Sequence, residues 1–199
     1  MSSASPCLID PSAARARRGS DGVRPLWLDA CELRTAAIAD RLREWLTCAG
    51  LLTERIRARS TEGVRLRLRG QHPAIPDVDV RAVLECGAEP VFTREIELLA
   101  ADRPVVFART LIPETTLQTH PWLRDLGETP LGEALAGLVE LRRGPLEFAM
   151  VPMHGELYAR AVANVCAQSS SLWMRRSWFG LPGGKLLVTE VFLPAVLEL

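Results

Sequence analysis

Two charged residues stand inside apolar segments of this 199-residue sequence, and their types suit ligand binding or proton transfer. Arg109 lies within VVFARTLIP, and Glu190 lies within KLLVTEVFLP. Side chains alternate along a strand, so Arg109 shares a face with Val105 and Phe107. By the same rule Glu190 shares a face with Val188. We therefore predict that both charges point toward one apolar layer.

The chemistry available to these two side chains follows from their types. In a dry pocket the guanidinium of Arg109 can fork onto a ligand carboxylate, while Glu190 can hydrogen-bond a hydroxyl or accept a proton. A structural interpretation is also open, because a buried charge is costly unless it is paired. Arg109 and Glu190 would then pair with each other or lie on an exposed face. Composition alone does not decide between these interpretations.

The segment Gly127-Glu128-Thr129-Pro130-Leu131-Gly132 is a third candidate site. Thr129-Pro130 places a capping hydroxyl and a first-turn proline before a helix that runs from Leu131 to Leu138. Backbone amides of Leu131 and Gly132 at that N-terminus would favour an anion. The alternative is an ordinary capped helix on the surface.

Most of the elements that must position these residues are predicted strands. Apolar runs and alternation predict strands over residues 64–69, 78–86, 91–99, 105–112, 146–151, 172–181 and 185–193. The turn segments Ala101-Asp102-Arg103-Pro104 and Pro182-Gly183-Gly184 predict that 91–99 with 105–112, and 172–181 with 185–193, form two antiparallel hairpins. Helical spacing predicts helices over 26–46 and 51–59, with room for another between 152 and 171, and an irregular chain around Pro73 and Pro76. Because strands dominate and do not alternate with helices, the predicted class is α+β, with a single antiparallel sheet and helices packed on it.

Composition limits the kinds of partner. Lys plus Arg and Asp plus Glu each total 24, so there is no basic field to attract nucleic acid or a membrane surface. No apolar stretch is long enough to span a membrane and no secretory signal is present, so we expect a cytoplasmic protein. Residues 1–25 are predicted to be a flexible extension, and residues 26–199 a single domain.

The cysteines and histidines do not form a recognisable catalytic or metal motif. The five cysteines, Cys7, Cys31, Cys48, Cys86 and Cys166, are widely spaced, so we predict small core residues and neither a disulfide framework nor a zinc site. The three histidines, His72, His120 and His154, lack a suitably placed nucleophile, and surface roles are expected.

Three blocks of the sequence resemble one known family. EIELLAADRPVVFARTLIPETTL, LGETPLGEAL and LWMRRSWFGLPGGKLLVTEVFLP are similar, in order, to the chorismate pyruvate-lyase family, and LLTERIRAR extends the likeness upstream. The likeness runs from Arg94 to Pro194 and is interrupted at residues 152–170, a segment without a counterpart in shorter family members. That segment could reshape a flap over the ligand.

The resemblance implies a chorismate-lyase-like fold with an internal ligand pocket under helical flaps and no cofactor. It assigns Arg109 to a ligand carboxylate, Leu131 to a backbone contact and Glu190 to the hydroxyl end of the ligand. Gly132 would support Leu131, and Leu52 would stand at an apolar contact. Catalysis would then rest on Glu190 and Arg109, with no metal.

The expected activity is elimination of pyruvate from chorismate to give 4-hydroxybenzoate by a monomer. Arg175 or Arg176 would meet the second carboxylate, since only one of them can face inward. One alternative is a binding module for small aromatic acids, like the ligand-sensing domains of some transcription regulators; too few residues precede the first predicted helix for a DNA-reading domain. Another alternative is a related lyase of a specialised pathway.

Overall fold

The computed structural model describes residues 18–19, 22–165 and 171–199. Most of the predicted extension, as well as Cys7 and Cys166, lies outside these residues. The strands are β1 (Arg18–Gly19), β2 (Gly22–Val23), β3 (Arg65–Ala74), β4 (Val91–Ala100), β5 (Arg103–Ile112), β6 (Arg142–Arg143), β7 (Glu147–Met150), β8 (Trp173–Leu181) and β9 (Gly184–Phe192). The helices are α1 (Ala30–Thr35), α2 (Asp40–Leu46), α3 (Leu52–Arg59), α4 (Val78–Leu84), α5 (Glu114–Thr119), α6 (Leu131–Ala136) and α7 (Glu156–Val162).

One antiparallel sheet organises the described chain, which confirms the predicted α+β class. Its strand order is β3-β4-β5-β9-β8-β6, and β7 also pairs with β8. β1 and β2 pair only with each other. Sequential hairpins explain this order, because β4 is joined to β5 and β8 to β9 by short turns.

The two long hairpins were predicted from their turns and are confirmed. Ala101 and Asp102, between β4 and β5, both have positive φ, at 48° and 58°. Two such residues give the type I′ geometry that matches the twist of paired strands. In the second hairpin Gly183 follows Pro182 and has φ of 80°, a conformation that glycine adopts without strain.

The single helix predicted over residues 26–46 is wrong, because two helices occupy this region. α1 begins after Asp29, whose side chain caps the backbone amides of Cys31 and Glu32. The chain then leaves helical geometry between α1 and α2. Arg43 on α2 stabilises this break by donating to the carbonyl of Leu33 in α1 and to those of Ala36 and Ile38 in the connection, the last two at 2.9 and 3.2 Å.

The strand predicted over 78–86 is also wrong, since residues 78–84 form α4. Leu84 packs with Val91, Leu111 and Leu187, and this tertiary burial outweighs the β-branched composition of the segment. β3 continues through Pro73, where an irregular chain was expected. A proline is tolerated there because β3 lies at the edge of the sheet.

Both faces of the central strands are covered. On one face, helices α1 to α3 pack onto residues such as Ile96, Ala108 and Phe192. On the other face, α7 packs on Phe107, Met174 and Val191 through Ala161 and its neighbours. The central strands are therefore apolar on both sides, as expected for a sheet between two layers.

The cysteines with described side chains form no disulfide. Cys31 is exposed, so its prediction as a core residue is wrong, while Cys48 and Cys86 are partly buried. Burial also raises the pKa of the Cys86 thiol.

Candidate functional site

A cavity of about 370 Å³ lies between the sheet and helices α3 and α6. This volume is within the range of small-molecule sites. Apolar side chains form most of the wall. The polar and charged side chains on the wall are those of Thr53, Arg94, Thr110, Arg143, Arg175, Ser177 and Glu190.

The strand register places most of these polar groups in two rows across the sheet. The first row is Arg94, Thr110, Val188 and Ser177, on β4, β5, β9 and β8. The second row is Ile96, Ala108, Glu190 and Arg175, on the same strands. Standard strand spacings put the Cα atoms of Arg94 and Glu190 roughly 12 Å apart on the diagonal. Their side chains thus reach the cavity from separate ends.

Glu190 is held by an arginine directly opposite it. Nε of Arg175 donates to Oε2 of Glu190 at 2.5 Å. Arg175 is buried, and its Nη1 also donates to the carbonyls of Leu46 and Cys48 at 3.1 and 2.7 Å. Oε1 of Glu190 accepts no hydrogen bond from the described residues. The carboxylate is therefore fixed on one side and available on the other.

Arg94 is a buried cation that lacks a carboxylate partner among the described residues. It is 2% exposed, and its Nη2 donates to the carbonyls of Gly127 and Thr129 at 2.8 and 2.9 Å. Its Nε is buried without a hydrogen-bond partner in the described part of the chain. Burial lowers the pKa of this guanidinium to about 10, so it remains protonated at neutral pH. An anionic ligand in the cavity would supply the partner that this buried charge lacks.

The prediction that Arg109 and Glu190 point toward one layer is wrong. Glu190 is opposite Ala108 in the register, so Arg109 points to the other face of the sheet, where it is opposite Glu95. Nε of Arg109 donates to Oε1 of Glu95 at 2.8 Å, and its Nη2 approaches Glu156 at 3.3 Å. Each charge is indeed paired, but not with the other one.

Of the two arginines considered for a second carboxylate, only Arg175 reaches the cavity. Arg176 points to the opposite face, where it donates to Glu147 at 2.8 Å and lies 3.9 Å from the ring centroid of Trp27. Arg175 is bound to Glu190 and to two backbone carbonyls, so its guanidinium fixes the orientation of the Glu190 carboxylate.

The structure brings the other predicted residues to the cavity. Leu52 on α3 and Leu131 and Gly132 on α6 all line it. The predicted Thr129 cap is wrong, since the residue at the cap of α6 is Pro130, without a side-chain cap. A β-carbon on Gly132 would lie 2.7 Å from a methyl group of Leu51, so this glycine permits close packing of α3 against α6.

Sequence reasoning missed Arg94 as a site residue. Arg94 shares a face with Ile96 and Leu98, just as Arg109 shares a face with Phe107. Because both faces of the sheet are covered, alternation does not distinguish Arg94 from Arg109. The register of the hairpin could have identified Arg94. It places Arg94 opposite Thr110, and both side chains line the cavity.

The described part of residues 152–170, where the family resemblance is interrupted, packs away from the cavity. Its helix α7 lies on the opposite face, where Arg160 donates to buried Glu95 at 2.9 Å. Asn164 donates to buried Glu97 at 3.1 Å. The described part of residues 152–170 therefore does not cover the cavity, contrary to the expectation that it could reshape a flap.

No group of three or more histidine, cysteine, aspartate or glutamate residues in the described part of the chain is arranged to hold a metal ion. None of the helices described is long and apolar enough to cross a membrane.

The fold and the site define a class: an α+β protein with one antiparallel sheet and a cationic cavity suited to a small anionic ligand. The family model described as chorismate lyase matches residues 23–198. This chain belongs to the chorismate lyase family.

Individual relatives agree with this assignment. A probable chorismate pyruvate-lyase of Aromatoleum aromaticum is 41% identical over 164 residues, covering 80% of this chain and 88% of that protein. One from Azoarcus sp. strain BH72 is 41% identical over 166 residues, covering 80% and 87%. One from Cupriavidus pinatubonensis is 39% identical over 165 residues, covering 80% and 84%.

Solved structures share the fold at low identity. The effector domain of PhnF from Mycobacterium smegmatis has a TM-score of 0.53 at 17% identity, and covers 73% of this chain and 89% of that chain. PhnF from the same organism has a TM-score of 0.55 at 16% identity, covering 74% and 65%. At these identities the likeness concerns the fold alone.

Proposed function

We propose that this chain eliminates pyruvate from chorismate to give 4-hydroxybenzoate. Family membership supports this reaction, and one structural observation supports this cavity as the place where it occurs. Arg94, a buried cation without a carboxylate partner among the described residues, shares a cavity with Glu190, a carboxylate fixed by Arg175. Chorismate bears a ring carboxylate and a hydroxyl at opposite ends of its ring, and these groups match the two ends of the cavity.

Arg94 binds the ring carboxylate in this proposal. Its Nε–H needs an acceptor, and a charge-assisted hydrogen bond in a dry site is stronger than one between neutral groups. Leu131 and Gly132 lie beside the same end on α6, where their backbone amides can support the anion. The carbonyls of Gly127 and Thr129 keep the guanidinium in place before the ligand arrives.

Glu190 accepts the substrate hydroxyl in this proposal. Arg175 holds Oε2 and thereby fixes the orientation of the whole carboxylate. Glu190 therefore loses little conformational freedom when Oε1 binds the hydroxyl. Leu52 contributes an apolar contact from α3. Arg109 has no contact with the ligand in this arrangement, because it lies on the other face of the sheet.

The reaction needs orientation and one proton transfer. The hydrogen on the carbon that bears the hydroxyl leaves as a proton, and the bond between the adjacent ring carbon and the ether oxygen breaks. The ring becomes aromatic, and the released enolpyruvate takes up a proton at its methylene carbon to become pyruvate. Holding the ring at both ends supplies the orientation. Glu190 stands where it can assist removal of the proton.

We further propose that α3 and α6 act as flaps over the bound ligand. Both helices line the cavity, and Nη2 of Arg57 on α3 lies 3.2 Å from Oε1 of Glu133 on α6. This ion pair is exposed and contributes little, which suits two elements that must separate to release product. The chain acts as a monomer without a cofactor in this proposal.

A turnover assay tests the reaction. Purified protein is incubated with chorismate, and 4-hydroxybenzoate and pyruvate are quantified. We expect equal amounts of both products from the wild type, with activity lost in Arg94→Met and Glu190→Gln. Tight binding of 4-hydroxybenzoate without turnover of chorismate by the wild type would instead favour a binding module.

A further inference from the structure

Arg143 stands at the rim of the cavity on β6, a strand of two residues at the end of the sheet. In the register it is opposite Phe179, which also lines the cavity, and its guanidinium carbon lies 5.4 Å from the centroid of that ring. Its Nη1 donates to the carbonyl of Ala49 at 2.8 Å. These contacts hold the Arg143 side chain over the cavity, on the side of the cavity wall formed by β8.

Arg143 and Arg175 bind the same connection between α2 and α3. Arg175 donates to the carbonyls of Leu46 and Cys48, and Arg143 donates to the next one along, that of Ala49. Partial desolvation at the cavity rim lowers the pKa of the Arg143 guanidinium, and the positive charge of Arg175 lowers it further. Arg143 is held by the carbonyl next to one that holds Arg175, and Arg175 is paired with Glu190, so Arg143 lies near the hydroxyl end of the proposed ligand.

The charges at this end do not balance. Glu190 forms its ion pair with Arg175, and Arg143 forms no ion pair with any carboxylate of the described residues. With Arg94 included, the cavity wall carries three arginines and one glutamate. Its formal charge is thus +3 − 1 = +2, which equals in magnitude the charge of a ligand with two carboxylates. One carboxylate has Arg94 as its partner, and the other still lacks one.

We propose that Arg143 binds the enolpyruvyl carboxylate of chorismate and thereby distinguishes substrate from product. The inference rests on the proposed function. In chorismate the enolpyruvyl ether is on the ring carbon next to the one that bears the hydroxyl, so its carboxylate lies beside the Glu190 end. The aromatic product has lost that group and keeps only the carboxylate that Arg94 binds. Arg143 therefore loses its partner when pyruvate leaves.

Substrate and product binding, measured separately, test this role. Chorismate binding is measured by calorimetry with Glu190→Gln, which we expect to bind the substrate without converting it, and with the double variant Glu190→Gln/Arg143→Met. We expect the second substitution to weaken chorismate binding about tenfold or more, as for loss of a charge-assisted hydrogen bond. In the wild-type background, Arg143→Met should change the affinity for 4-hydroxybenzoate by less than about threefold.

The controls keep a structural role distinguishable. Arg142 is the adjacent strand residue and is exposed, as Arg143 is, but it does not line the cavity, so Arg142→Met should leave both affinities unchanged. Arg143→Lys keeps a cation and should recover part of the chorismate affinity, which repacking alone would not do. Equal weakening of substrate and product binding by Arg143→Met, or no effect on either, would overturn the assignment. Failure of the proposed function would instead appear as a wild-type chain without turnover.

Discussion

Arg175 and Glu190 face each other across β8 and β9, with 2.5 Å between Nε and Oε2. The arginine is 1% exposed and the glutamate side chain 19% exposed, so water screens the pair weakly. Its geometry fixes one carboxylate oxygen at the cavity wall. This relationship leads to the first prediction.

Arg175→Met and Glu190→Gln should each lower the free energy of unfolding by about 3 kcal/mol, because each leaves a buried group without its charged partner. The double variant should lose less than the sum, with a coupling free energy of about 2 kcal/mol. Urea unfolding of the four proteins measures this cycle. Additive losses would show that the two side chains do not depend on each other.

The second prediction separates Arg94 from Arg109. Arg109→Met removes a partner of buried Glu95, so the free energy of unfolding should fall by about 3 kcal/mol while 4-hydroxybenzoate affinity changes less than about threefold. Arg94→Met removes a buried cation without a counterion, so stability should change by no more than about 1 kcal/mol. Its affinity for 4-hydroxybenzoate should fall about 100-fold. Thermal unfolding and calorimetry on the same preparations decide between the two arginines. A large loss of affinity in Arg109→Met with little loss in Arg94→Met would show that Arg109 binds the ligand.

The third prediction concerns α7 and pH. A hydrogen bond from Arg160 lowers the pKa of Glu156 below its ordinary value of 4.5. The stabilisation is therefore fully present above pH 4.5 and is lost as the pH falls through the lowered pKa. Because Glu156 is largely exposed, we expect a contribution of less than about 1 kcal/mol.

Hydrogen exchange of the α7 amides measures this effect. At neutral pH, Glu156→Gln should raise exchange in α7, and the difference from the wild type should disappear in acid. Chorismate turnover by this variant should remain at the wild-type level, since α7 lies on the face opposite the cavity. A large loss of activity would contradict that separation of the two faces.

The fourth prediction concerns the proposed flaps. Arg57→Ala removes the exposed ion pair with Glu133, so 4-hydroxybenzoate should dissociate about two- to fivefold faster, with little change in association. Stopped-flow measurements give both rates. The charge-exchanged variant Arg57→Glu/Glu133→Arg should return the dissociation rate toward the wild-type value. Identical rates in all three proteins would show that this pair does not hold the flaps together.

The sequence by itself determined the class of fold and most of the sheet. The turns at Ala101-Asp102 and Pro182-Gly183 identified both long hairpins, because positive φ and proline preferences act over a few residues. The charge at Glu190 was recognised for a related reason, since it interrupts a strand that is otherwise apolar. Local chemistry was sufficient wherever the determining contacts lie close together in the chain.

Only the tertiary structure decided which arginine faces the cavity. Arg94 and Arg109 occupy neighbouring strands with similar surroundings in sequence, and the sheet is covered on both sides, so alternation assigns each a face without saying which face holds the ligand. That choice depends on the pairing of β5 with β9, residues about 80 positions apart, which brings Ala108 rather than Arg109 opposite Glu190. A shift of one residue in this register would exchange the two faces, and no short-range pattern in the sequence reports it.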